Sequence, residues 1–130
     1  EQHAGTIGWR LENMWALARI LGFEPAPPFF QGQLPDDVTR RMVMEFIPNL
    51  DATVAEFVAE ASPRTTSDVA KLEDLYYCTH NAVRSAQGGR DTVPQSFHQV
   101  RDGGAIHERR HALTWSLSPG VDWDDTDLST

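Results

Sequence analysis

The stretch "GAIHERRHALTWSL", residues 104–117, decides how the chain is read. At about 100° per residue, Ile106, Leu113 and Leu117 share one face of a helix. Arg109 and Arg110 flank that face, while His107 and His111 lie roughly 100–140° away from it. The same letters contain H-E-x-x-H. In that motif two histidines one turn apart share a Zn²⁺, and the intervening glutamate polarises the metal-bound water. Here His107 and His111 would be the ligands and Glu108 the base of a zinc-dependent hydrolase.

Three physical points weigh against that reading. The histidines project toward solvent or a groove, not toward a shielded floor. Guanidinium charges at both x positions oppose a dication. A third ligand has no clear context, since His80, His98, Asp122, Asp124, Asp125 and Asp127 qualify only by type. The preferred reading takes zinc and catalytic residues as absent and gives the helix its importance through its arginines.

Outward from this segment, the chain reads as all-α, an irregular bundle of about five helices with long loops. Asp102 caps the helix 103–117, and Pro119 and Gly120 end it. A helix over 68–87, capped by Ser67, stops at Gly88 and Gly89. Asp51 caps a short helix over 52–61, with Val54, Phe57 and Val58 inward. Pro35 opens a helix reaching Phe46, with Asp36 and Asp37 near its positive end. Thr6 caps the first helix, 7–21, which Gly22 terminates; Ile7, Leu11, Met14, Ala18 and Leu21 form its stripe. Residues 22–34 are a connector in which Pro25, Pro27 and Pro28 forbid helix. Its Phe23, Phe29 and Phe30 are expected in the core, with an exposed recognition loop as the alternative. Residues 118–130 form an acidic tail packed on the domain through Trp123.

The 130 residues suit a single domain, 1–130. The formal net charge of −8 and the lack of a basic stripe argue against nucleic acid. No apolar run is long enough to span a membrane. With Cys78 as the only cysteine, no intrachain disulfide can form, which points to a reducing compartment, the cytoplasm.

Charge also falls where apolar residues belong. Arg10 lies inside the stripe of the first helix. His80 joins Val69, Leu72, Tyr76 and Val83 on the fourth, with Glu73, Tyr77 and Arg84 along its edge. A buried arginine keeps its proton and needs acceptors. The simplest arrangement is an ion-pair network joining the first, fourth and fifth helices, with Glu12, Glu73, Asp74 and Glu108 as candidate acids. The opposing expectation is that the long side chains reach back to water. Such a network either fixes helix register or lines a pocket for an anionic or polar ligand, where His80 is an acid–base candidate.

The motifs W-R-x-E-x-x-W-A-L (9–17), D-L-x-Y-x-x-H-x-A-x-R (74–84) and E-R-R-x-A-L-x-W (108–115), with W-D-D at 123–125, resemble the DUF4272 family. The resemblance marks Trp9, Arg10, Glu12, Trp15, Asp74, His80, Arg84, Glu108, Arg109, Arg110, Trp115, Trp123 and Asp124. It departs at Asn81, where a tryptophan is expected. It implies that a fuller member extends N-terminally of Glu1, puts weight on E-R-R over the histidines, and brings no activity.

The function expected from all this is a binding or interaction module, a component of a larger assembly. Its partner would be another protein or an N-terminal segment. Its polar cluster is Arg10, Glu12, Asp74, His80, Arg84, Glu108, Arg109 and Arg110. The zinc hydrolase built on His107, Glu108 and His111 is the alternative.

Overall fold

The computed structural model describes residues 2–129, with side chains from Gly8 onward. It holds five α-helices: α1 Gln2–Ile20, α2 Asp36–Arg41, α3 Val54–Glu60, α4 Thr66–Gln87 and α5 Arg101–Ser116. A π-helical turn, Met42–Phe46, continues α2, and a 3₁₀ turn, Trp123–Asp125, lies in the tail. No strand occurs among the described residues. The fold is all-α. No described helix is long and apolar enough to cross a membrane.

α5 is the central element, packed between α1 and α4. Two glycines in its first turns allow the close approach. A Cβ on Gly103 would fall 2.7 Å from Val83 Cγ1 of α4, and one on Gly104 would fall 2.4 Å from the Trp9 ring of α1. The core between these helices contains Trp15, Tyr76, Ile106, Ala112 and Leu113, all at most 1 % exposed. Trp15 and Tyr76 meet edge to face at 6.2 Å, a geometry that the ring quadrupoles favour.

The helix ends follow local chemistry. Gly22 adopts φ +114°, and the N–H groups of Gly22 and Phe23 donate to the carbonyls of Arg19 and Ala18. This is the left-handed C-terminal turn expected of glycine. Gly89, at φ +93°, closes α4 in the same way. Several expected starts are corrected. α1 begins before Thr6, and the side chains of Thr6 and Ile7 lie outside the described residues. α3 is capped by Thr53, not Asp51: Thr53 Oγ1 accepts from Glu56 N, and Glu56 Oε2 accepts from Thr53 N. This reciprocal pair satisfies two otherwise free donors. Thr65, not Ser67, caps α4 through Asp68 N. Asp102 lies inside α5, and its carboxylate instead accepts from His98 N at 2.7 Å.

Packing departs from expectation at two places. Phe23 is buried, but Phe29 and Phe30 are 42 % and 50 % exposed and touch each other edge to face. Val54 and Val58 are not inward; they are 80 % and 65 % exposed. α3 is too short and too loosely seated to bury two sides, so only Phe57 turns in, meeting Phe46 at 5.9 Å.

Candidate functional site

Adjacent arginines on α5 serve different neighbours because consecutive helical positions diverge by about 100°. Arg109 points to α1 and the proline-rich connector. Its Nε donates to Glu12 Oε2 at 2.7 Å, its Nη1 to the Gln31 carbonyl at 3.1 Å, and its Nη2 to the Gly32 carbonyl. Glu12 Oε1 accepts from Leu34 N at 2.9 Å, and Trp15 Nε1 donates to the Pro25 carbonyl. A segment rich in proline lacks N–H groups for regular pairing, so α1 and α5 side chains fasten it instead. Burial pushes the Glu12 carboxyl up, against the opposing pull of Arg109 and of Leu34 N–H.

Arg110 points to α4 and the tail. Its Nη1 donates to His80 Nδ1 at 2.7 Å and to the Leu128 carbonyl at 2.9 Å, and its Nη2 to the Ser129 carbonyl at 3.0 Å. The guanidinium lies 4.6 Å from the Tyr77 ring centre, within range of a cation–π contact. Because arginine only donates, Nδ1 of His80 accepts, and the neutral ring carries its proton on Nε2. Burial, then His107, Arg110 and Arg84, push the His80 pKa down to about 4. Arg110 Nε has no hydrogen-bond partner among the described residues.

The expected single network is thus two separate arrangements, and several of its members stand elsewhere. Arg10 is solvent-exposed and takes no part in an ion pair among the described residues. Asp74 and Arg84 are likewise exposed on α4. Glu108 meets no arginine; its carboxylate accepts from Asn13 Nδ2 at 2.9 Å, and its backbone carbonyl accepts from the same amide at 2.8 Å. Glu73 accepts from Thr114 Oγ1. Reading charges alone missed Asn13, a neutral amide that is 7 % exposed. Its place one turn from Trp9 and beside Glu12 was the available signal.

The two histidines of the motif are also placed. His111 Nε2 bonds to the Trp123 carbonyl at 2.8 Å, and its ring stacks on Trp123 at 4.0 Å. That leaves only Nδ1 for a metal. The rings of His107 and His111 are 6.4 Å apart, whereas His107 meets His80 at 5.1 Å. No group of three His, Cys, Asp or Glu side chains positioned for a metal occurs among the described residues. The pair therefore has no third ligand among them; His111 holds the tail and His107 faces α4.

An apolar groove of ≈ 460 Å³ lies between α1, the π-helical turn and the tail. Met14, Leu17, Phe46, Phe57, Trp115 and Trp123 line it, with Arg10 at its edge. It shares Leu21, Phe46, Ile47, Pro48 and Phe57 with a second, more polar depression that Glu45, Glu56 and Glu60 border. Motif reading did not find this groove, because residues distant in sequence create it.

Fold and site together define an all-α protein whose central helix holds two buried arginines directed to different neighbours. The chain belongs to the family described as "Domain of unknown function (DUF4272)", whose model matches residues 1–126. No curated protein and no solved structure matches it.

Proposed function

We propose that the chain is a protein-interaction module that receives an amphipathic helical segment with basic flanks in the apolar groove. The observation that carries this reading is apolar surface left uncovered beside a preformed cleft. Met44, Val54 and Val58 are 76 %, 80 % and 65 % exposed, within three residues of the groove residues Phe46 and Phe57. Uncovered apolar patches at a cleft mark sites of association. Helix-in-groove recognition uses apolar anchors one turn apart, and the lining of aromatic and methionine side chains suits that mode. The acids Glu45, Glu56 and Glu60 along the continuation complement basic flanks, as does the overall charge of −8. The two arginine arrangements act as the frame: they hold the connector and tail, and the tail contributes Trp123 to the groove wall.

The test uses a synthetic amphipathic peptide with a leucine face and lysine flanks, beside the same peptide with glutamate flanks. Intrinsic fluorescence follows binding, since Trp115 and Trp123 line the groove. A saturable change with the lysine peptide is expected, weaker with the glutamate peptide and lost in Met14→Glu. Met14 is 37 % exposed, so that variant keeps its fold, which circular dichroism checks. Binding that ignores Met14→Glu, or no binding of either peptide, defeats the reading.

A further inference from the structure

Beside the first turns of α5 lies a small pocket of ≈ 260 Å³ whose wall, with Val83 and Val100, is more apolar than polar. His80, Arg84 and Gln87 of α4 and His107 of α5 line it, with backbone at Gly103 and Gly104. The chain is acidic as a whole, yet this region gathers cationic and imidazole groups. Arg84 and the neighbouring Arg110 take part in no ion pair among the described residues. His80 is 3 % exposed and gives only Nδ1 to Arg110, leaving its Nε2–H as a donor. Arg110, 2 % exposed and not itself on the pocket wall, has no partner for its Nε among the described residues. Arg84 is exposed and His80 buried, and both line this one pocket, so a guanidinium and an imidazole N–H are offered there to an anion.

We propose that this pocket binds a small oxyanion, a phosphate or carboxylate group, through Arg84 and the imidazoles of His80 and His107. Arg84 supplies a planar fork of donors matched to paired oxygens. The positive end of the α5 dipole adds to the attraction. Burial first, with Arg110 and Arg84 contributing, lowers the His107 and His80 pKa values, and only Glu108 pulls His107 the other way. The charged and titratable groups facing the two rings are Arg84 from α4 and Glu108, Arg110 and His111 from α5. An anion in the pocket reverses the balance and raises both imidazoles, so binding takes up protons and tightens as pH falls. This site is independent of the groove, and neither proposal needs the other.

Inorganic phosphate and acetate are titrated separately into the full chain at constant ionic strength, with chloride as control. The ring proton resonances of His80 and His107 are followed by NMR. Saturable shifts of these two rings are expected, with binding about tenfold weaker in Arg84→Gln, the loss of one charge-assisted contact. Arg84 is exposed, so Arg84→Gln leaves the fold intact. Saturation by phosphate alone assigns a phosphate group, and saturation by acetate of equal strength assigns a carboxylate. No saturable shift, an equal shift with chloride, or undiminished binding in Arg84→Gln overturns the proposal.

Discussion

Arg109 Nε lies 2.7 Å from Glu12 Oε2, and the two side chains are 0 % and 3 % exposed. Joined to the carbonyls of residues 31 and 32, this pair ties α1, α5 and the connector together. Glu12→Gln keeps the shape but strands the guanidinium. It is expected to cost ~3–5 kcal/mol in urea denaturation, and a Glu12→Leu/Arg109→Met double variant should recover much of that loss. A single variant as stable as the parent would show the pair to be dispensable.

Gly22 holds φ +114°, and a Cβ there would lie 2.7 Å from the Ser62 carbonyl oxygen. Gly22→Ala therefore meets both backbone strain and a collision with main chain that cannot swing aside. The expected loss is at least ~1–2 kcal/mol from the left-handed conformation alone. A thermal melt of Gly22→Ala beside Gly88→Ala makes the comparison. Gly88 has ordinary φ −83° and no neighbour closer than 3.4 Å, so its variant should lose much less.

His80 is neutral in the folded protein because its pKa is lowered to about 4 from 6.5. The unfolded chain therefore binds more protons than the folded one between those values, and stability rises with pH across that window. This contribution is present above pH 6.5 and lost as pH falls toward 4. Denaturation midpoints taken from pH 7 to pH 4.5 should fall, and His80→Gln should flatten the slope. A slope unchanged in that variant would assign the acid sensitivity to other groups.

The tail carbonyls at Leu128 and Ser129 accept from Arg110. Ending the chain after Asp127 removes both acceptors from a side chain that is 2 % exposed. The cost should be ~1–3 kcal/mol, that of an unsatisfied buried donor. Arg110→Met in the shortened chain should return part of it, because the stranded charge is then gone. Calorimetric Tm values of the shortened chain with and without Arg110→Met decide the matter; equal values would count against Arg110 as the tail's anchor.

How far the sequence could be read depended on how local each signal was. Gly22 and Gly89 stop helices through their own backbone freedom, and both stops were legible. The capping box Thr53-x-x-Glu56 was equally local, but Asp51 drew the assignment two residues early. Val54 and Val58 have the spacing of a buried stripe, yet periodicity shows only which side of a helix is apolar. It does not show whether anything lies against that side. Arg10 left two outcomes open for a related reason, and the structure gives the second: a position inside an apolar stripe allows a long side chain to run past the stripe and reach water.

The sequence by itself determined that the chain is helical, where most helices stop, and that the arginines at 109 and 110 need acceptors. These follow from torsional preference, helical periodicity and the permanent charge of guanidinium, all of which act over a few residues. Only the tertiary structure decided which acceptors those arginines found. Glu12, the carbonyls at 31 and 32, His80 and the carbonyls at 128 and 129 come from four places along the chain. What brings them to one helix is the burial of Trp15, Tyr76, Ile106 and Leu113, a nondirectional force that specifies no partner until the whole core has closed.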